Sequence, residues 1–141
     1  METYVVTPPR MQLKKSIMDL LDKVGREHAS GHQGAYANRY VVSGAGGRPI
    51  EVMFEKGERV PANIWCPAGV AKLVPDVPAK DSPKALLWQV KKGEKRYGRH
   101  SGLKSMPQLF EADLVKFQPE TLEQARKVID ALLAYSAKPA L

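Results

Sequence analysis

The chain has 141 residues, 43% hydrophobic and 26% charged, with a formal net charge of +7 and a pI near 9.6. That length and balance fit one globular domain over residues 1–141 with a core of its own, and exclude a disordered or fibrous chain. The lone cysteine, Cys66, excludes an internal disulfide framework and a cysteine-based zinc site. No apolar run approaches membrane-spanning length and no secretory-type start is present, so the expectation is a cytoplasmic protein with no membrane partner.

In chain order, "TYVVT" reads as a short extended start closed by Pro8, Pro9 and Arg10. Leu13, Ile17, Leu20, Leu21 and Val24 then recur at the spacing of one helical face, with Lys14, Lys15, Asp19, Asp22 and Lys23 off that stripe and Gly25 as the stop. "HASGHQGA", residues 28–35, is a loop with two histidines. "NRYVVSG" and "RPIEVMFEKG" read as a hairpin around "GAGG". Its second strand alternates, with Ile50, Val52 and Phe54 on one face and Glu51, Met53 and Glu55 on the other. "ANIWC" is a third strand, closed by Pro67.

Prolines 67, 75, 78 and 83 make the next stretch mostly loop or sheet edge, because proline lacks a ladder donor. "ALLWQV", residues 85–90, reads as a buried strand. "SGLKSMPQLF" suggests a short helix with Leu103, Met106 and Phe110 inward, and "ADLVKF" a last strand. Thr121 and Gln124 have capping-box spacing ahead of a stripe of Leu122, Ala125, Ile129, Leu132 and Leu133. Strands bracketed by helices without βαβ alternation predict an α+β fold: a mainly antiparallel sheet of five or six strands, with an N-terminal and a C-terminal helix packed on it.

The charge is concentrated in "VKKGEKRYGRHSGLKSM", residues 90–106. Lys91, Lys92, Lys95, Arg96, Arg99, His100 and Lys104 fall there, against a single acid, Glu94. Close like charges repel by roughly 1 kcal/mol per pair even in water. A loop that carries them is either well solvated or suited to an anion. Arginine offers phosphate a planar fork and lysine a point charge, and Tyr97 can stack on a base. These eight residues are the candidate nucleic-acid contacts. The expected function is a small basic binding protein that contacts nucleic acid or another phosphate-bearing partner, or else an acidic protein. The plainer alternative is a solvated hairpin tip around Gly93 and Glu94.

Pro75-Asp76 is followed by Gln89-Val90-Lys91. This spacing resembles the loose pattern of PD-(D/E)XK nucleases, in which glutamine sometimes replaces the second acid. The resemblance implies a Mg²⁺-dependent nuclease with Asp76 and Gln89 as oxygen ligands and Lys91, on the same strand face as Gln89, steadying charge on the phosphate. Apart from Mg²⁺ under that reading, no cofactor and no metal site are expected. His28 and His32 lie four apart but in a glycine-containing loop, and Cys66 reads as a small buried hydrophobe. Trp65 and Trp88 read as core, with a groove lining as the alternative. "SGAGG", 43–47, lacks the Lys-Ser/Thr ending of a phosphate-cradling loop.

Overall fold

The computed structural model describes residues 4–44 and 46–137, apart from the side chain of Lys91. Helix α1 runs over Pro8–Val24. Thr7 caps it in an extended conformation, its hydroxyl accepting from the Arg10 amide at 3.3 Å. Pro8 and Pro9 thus open the helix and do not close an extended start. At the first helical turn the missing N–H has no partner to lose and the fixed φ suits the helix. Gly25 ends it, and an added Cβ there would lie 2.9 Å from the Val41 carbonyl oxygen, so the chain turns against its neighbouring strand. Lys14 lies off the apolar stripe yet is buried, with Nζ donating to the carbonyls of Gly57 at 2.6 Å and Val60 at 2.5 Å. Burial lowers its pKa, against the attraction of Glu58 and Glu55.

The strands β1 (Gly25–Glu27), β2 (Ala37–Val42), β3 (Ile50–Glu55), β4 (Asn63–Pro67), β5 (Ala79–Ser82) and β8 (Leu114–Phe117) form one six-stranded sheet. Its order is β1-β2-β3-β4-β8-β5 and every pairing is antiparallel. The fold is therefore α+β with a mainly antiparallel sheet. Tyr40 stands opposite Val52, Phe54 opposite Ile64 and Cys66 opposite Val115. The proline-flanked β5 is an edge strand, where a missing donor costs no ladder bond. The second helix, α2, spans Leu122–Ala137. Thr121 Oγ1 accepts from the Gln124 amide at 3.1 Å and Gln124 Oε1 from the Glu120 amide at 2.8 Å.

The helices cover one face of the sheet. Ile17 and Leu21 of α1 meet Val128, Ile129 and Leu132 of α2 over Val42, Val52, Phe54, Ile64, Cys66 and Phe117. The opposite face is covered by residues 97–112, whose Leu103, Met106 and Leu109 pack on Ala37, Met53, Trp65 and Leu114. A short 3-10 helix, Ser101–Ser105, lies against the sheet at Gly102. A Cβ there would lie 2.8 Å from Met53 Sδ.

Residues 85–90 differ from the expected buried strand. Lys84–Leu86 is a 3-10 turn, and among the described residues β6 (Trp88–Lys91) pairs only with β7 (Glu94–Tyr97) in a separate two-stranded hairpin. Leu87 is buried, but Leu86, Trp88 and Val90 are 70%, 45% and 69% exposed. A lone hairpin has no third strand, so an apolar run in it finds cover only where another element reaches it. Trp88 accordingly leaves the core, whereas Trp65 is buried as expected.

Candidate nucleic-acid interface

The hairpin turns at Lys92 and Gly93, both at positive φ, 51° and 77°. Two left-handed residues in a two-residue loop match the right-handed twist of the flanking strands, and glycine makes the second one cheap. Trp88 faces Tyr97 across the ladder, with ring centroids 5.7 Å apart. Tyr97 meets Phe110 edge to face at 5.3 Å, and its hydroxyl donates to the Phe110 carbonyl at 2.9 Å. These aromatic contacts pin the hairpin to the segment under the sheet. Partial burial raises the Tyr97 pKa, against the nearby Arg99.

Between the hairpin and the 3-10 helix lies an open groove of about 380 Å³. Trp88, Lys95, Arg96, Tyr97 and Lys104 line it, with Arg99 and Ser101 alongside. Lys104 Nζ sits 5.5 Å from the centroid of the Tyr97 ring, a cation–π contact that turns the ammonium toward the groove. Arg96 reaches Glu94 at 3.2 Å, an exposed pair that a phosphate can displace at little cost.

Not every candidate is available. Arg99 donates to Ser82 Oγ at 2.8 Å, to the Ala112 carbonyl at 2.7 Å, to those of Leu109 and Phe110 at 3.3 and 3.4 Å, and to the Ser82 carbonyl. Its guanidinium ties edge strand β5 to the 109–112 turn. His100 also turns inward, with Nδ1 accepting from the Gly102 amide at 3.0 Å and Nε2 3.7 Å from Glu55 Oε1. Lys92, Lys95 and Lys104 are exposed, and among the described residues Arg96 is tied only to Glu94. The side chain of Lys91 lies outside the described residues.

The nuclease candidates are dispersed in the topology. Asp76 lies in the turn before β5, where Lys127 of α2 donates to its carboxylate at 2.8 Å and lowers its pKa. Gln89 is on β6, in the other sheet. Strand β5 pairs with β8 and β6 with β7, so the pattern's two strands are not neighbours. Among the described residues no group of three or more His, Cys, Asp or Glu is placed to hold a metal ion. Among the same residues, no helix is long and apolar enough to cross a membrane. Cys66 is fully buried, and burial pushes its thiol pKa up, away from reactivity.

The sheet face beneath residues 97–112 holds a polar network that the sequence pattern did not single out. Glu51 is buried, with Oε2 2.5 Å from His28 Nε2 and Oε1 accepting from the Gln108 amide at 2.7 Å. His28 Nδ1 contacts Ser30 Oγ at 2.7 Å. His32 Nδ1 accepts from the Arg39 amide at 3.0 Å, and the Arg39 side chain reaches Gly31, Gly102 and Ser105. Glu51 and Glu55 on the same side of a strand were the available signal, but alternation alone reads them as solvent-facing. Comparison with family models, with curated proteins and with solved structures yields no match to this chain.

Proposed function

We propose that the protein binds single-stranded nucleic acid through the groove beside the hairpin. One observation carries the reading: Lys95, Arg96 and Lys104 share a single concavity with two aromatic rings, Trp88 and Tyr97. Scattered cations would serve solubility alone. Cations collected beside a half-exposed indole match what a strand offers, which is phosphates along a backbone and bases with flat faces. The net charge of +7 adds long-range attraction for any polyanion. A duplex hides its base faces, so stacking on Trp88 favours a single strand.

Fluorescence anisotropy with a labelled single-stranded dodecamer tests this. If Lys92, Lys95, Arg96 and Lys104 each neutralise one phosphate, log affinity falls with log salt at a slope of about −3, and each alanine substitution reduces the slope by about 0.7. Trp88→Ala weakens binding on the order of 10-fold with the slope unchanged. Absence of salt-dependent binding at low ionic strength overturns the proposal. Equal binding of an acidic polypeptide would select a protein partner instead.

A further inference from the structure

A second cavity, a cleft of about 560 Å³ with largely apolar walls, lies beside the groove. That size is within the usual range for small-ligand sites. Tyr36 stands at it, 67% exposed, and Lys56, Glu58 and Arg59 bring charges of both signs to its lining. Glu55 and His100 also line it. Glu55 is only 7% exposed, and its Oε2 accepts from Asn63 Nδ2. Among the described residues its Oε1 has no hydrogen-bond partner, because His100 Nε2 stands 3.7 Å away, beyond hydrogen-bond reach. His100 Nδ1 accepts from the Gly102 amide, so the neutral ring carries its proton on Nε2. The lining of the cleft therefore includes a carboxylate acceptor and an imidazole donor side by side, 3.7 Å apart, within ion-pair distance but longer than a hydrogen bond.

A ligand for this pair needs a donor and an acceptor on one edge, and for Tyr36 it needs a flat face. An alkyl chain would leave both polar groups unpaired, and a simple amine would leave the imidazole N–H unpaired, each a desolvation loss. A nucleobase supplies the edge and the face together. The chain also places cleft and groove next to each other. His100 lines the cleft, while Arg99 and Ser101 on either side of it line the groove. Consecutive Cα atoms are about 3.8 Å apart, so the two cavities share one segment as a wall.

We propose that the cleft takes one unstacked base of the bound strand, with Glu55 and His100 on its hydrogen-bonding edge and Tyr36 against its face. This inference rests on the nucleic-acid reading of the groove. Each base carries a donor–acceptor edge at different ring positions, so the cleft discriminates among bases, whereas stacking on Trp88 does not.

The test is anisotropy with labelled dodecamers of dA, of dC and of dT, and with an abasic strand of the same length, at one salt concentration. The three base-bearing strands are expected to bind unequally, the best of them on the order of 10-fold tighter than the abasic strand. Glu55→Gln narrows the spread among bases, and Tyr36→Ala moves all three toward the abasic value, with the salt slope unchanged in both. Tyr36 is exposed, so its variant remains informative even if Glu55→Gln unfolds. Equal binding of the three bases, or a spread that survives both substitutions, overturns the inference while salt-dependent binding keeps the groove. Failure of every strand to bind overturns the groove reading and this one together.

Discussion

The two faces of the six-stranded sheet are covered by different kinds of structure. On one face the cover is α1 and α2, and the contact is mostly hydrocarbon from Ile17 to Leu132, with Lys14, the Tyr40–Asp22 hydrogen bond and Ser136 as polar exceptions. On the other it is residues 97–112, and the apolar contact of Leu103, Met106 and Leu109 is interrupted by Glu51, Glu55, His28, His100 and Arg39. The cause is backbone hydrogen bonding. A helix satisfies its own amides and carbonyls, so its underside can be wholly apolar. An irregular segment leaves those groups open, and buried open groups must be paired. Arg99 therefore serves the carbonyls of Leu109, Phe110 and Ala112, Glu51 the Gln108 amide, and His100 the Gly102 amide. The polar cover brings charge and irregular backbone to that side, and both the groove and the cleft border it.

The contrast makes the helical face fragile to lost volume and the other face fragile to lost donors. The largest effect is expected for Phe54→Ala, which opens a cavity under the helices and costs about 3–5 kcal/mol, measured by urea unfolding. A loss below about 1 kcal/mol would mean that this face is loosely packed. Next comes Arg99→Ala. It strips hydrogen bonds from several part-buried carbonyls and is expected to cost about 2–3 kcal/mol, with Lys95→Ala near zero as the neighbouring control. If the two substitutions cost the same, Arg99 is not the tie described and the loop is uniform.

The smallest effect is the pH dependence contributed by Cys66 on the helical face. Burial raises the Cys66 pKa, so the unfolded chain releases that proton first, near pH 8.5. This contribution is complete below that pH and falls as pH rises above it, approaching about 1.4 kcal/mol per pH unit. Urea midpoints between pH 8 and 10 would show the decline, and Cys66→Ala would flatten it. A decline that persists in the variant assigns it to other groups.

The periodic elements were legible in the chain because each carries its own local signal. The stripe from Leu13 to Val24, the alternation from Ile50 to Glu55 and the Thr121–Gln124 cap each need only neighbours in sequence. They specified the α+β class and the helix-side core. The three-residue β1 is too short to show a period, and β5 exists only because β8 lies beside it. Trp88 and Val90 look the same in sequence as the buried Val52 and Ile64, and that the described residues put no third strand beside the hairpin is a fact of folding. The cluster of positive charge was plain in residues 91–104. Which cations stay open was not, since Arg96 and Arg99 differ only in what surrounds them: water and Glu94 for one, unpaired carbonyls for the other. Local patterning sets which residues fold into regular elements. Long-range packing alone selects the carbonyls Arg99 must serve and sets Glu55 beside His100 at the cleft.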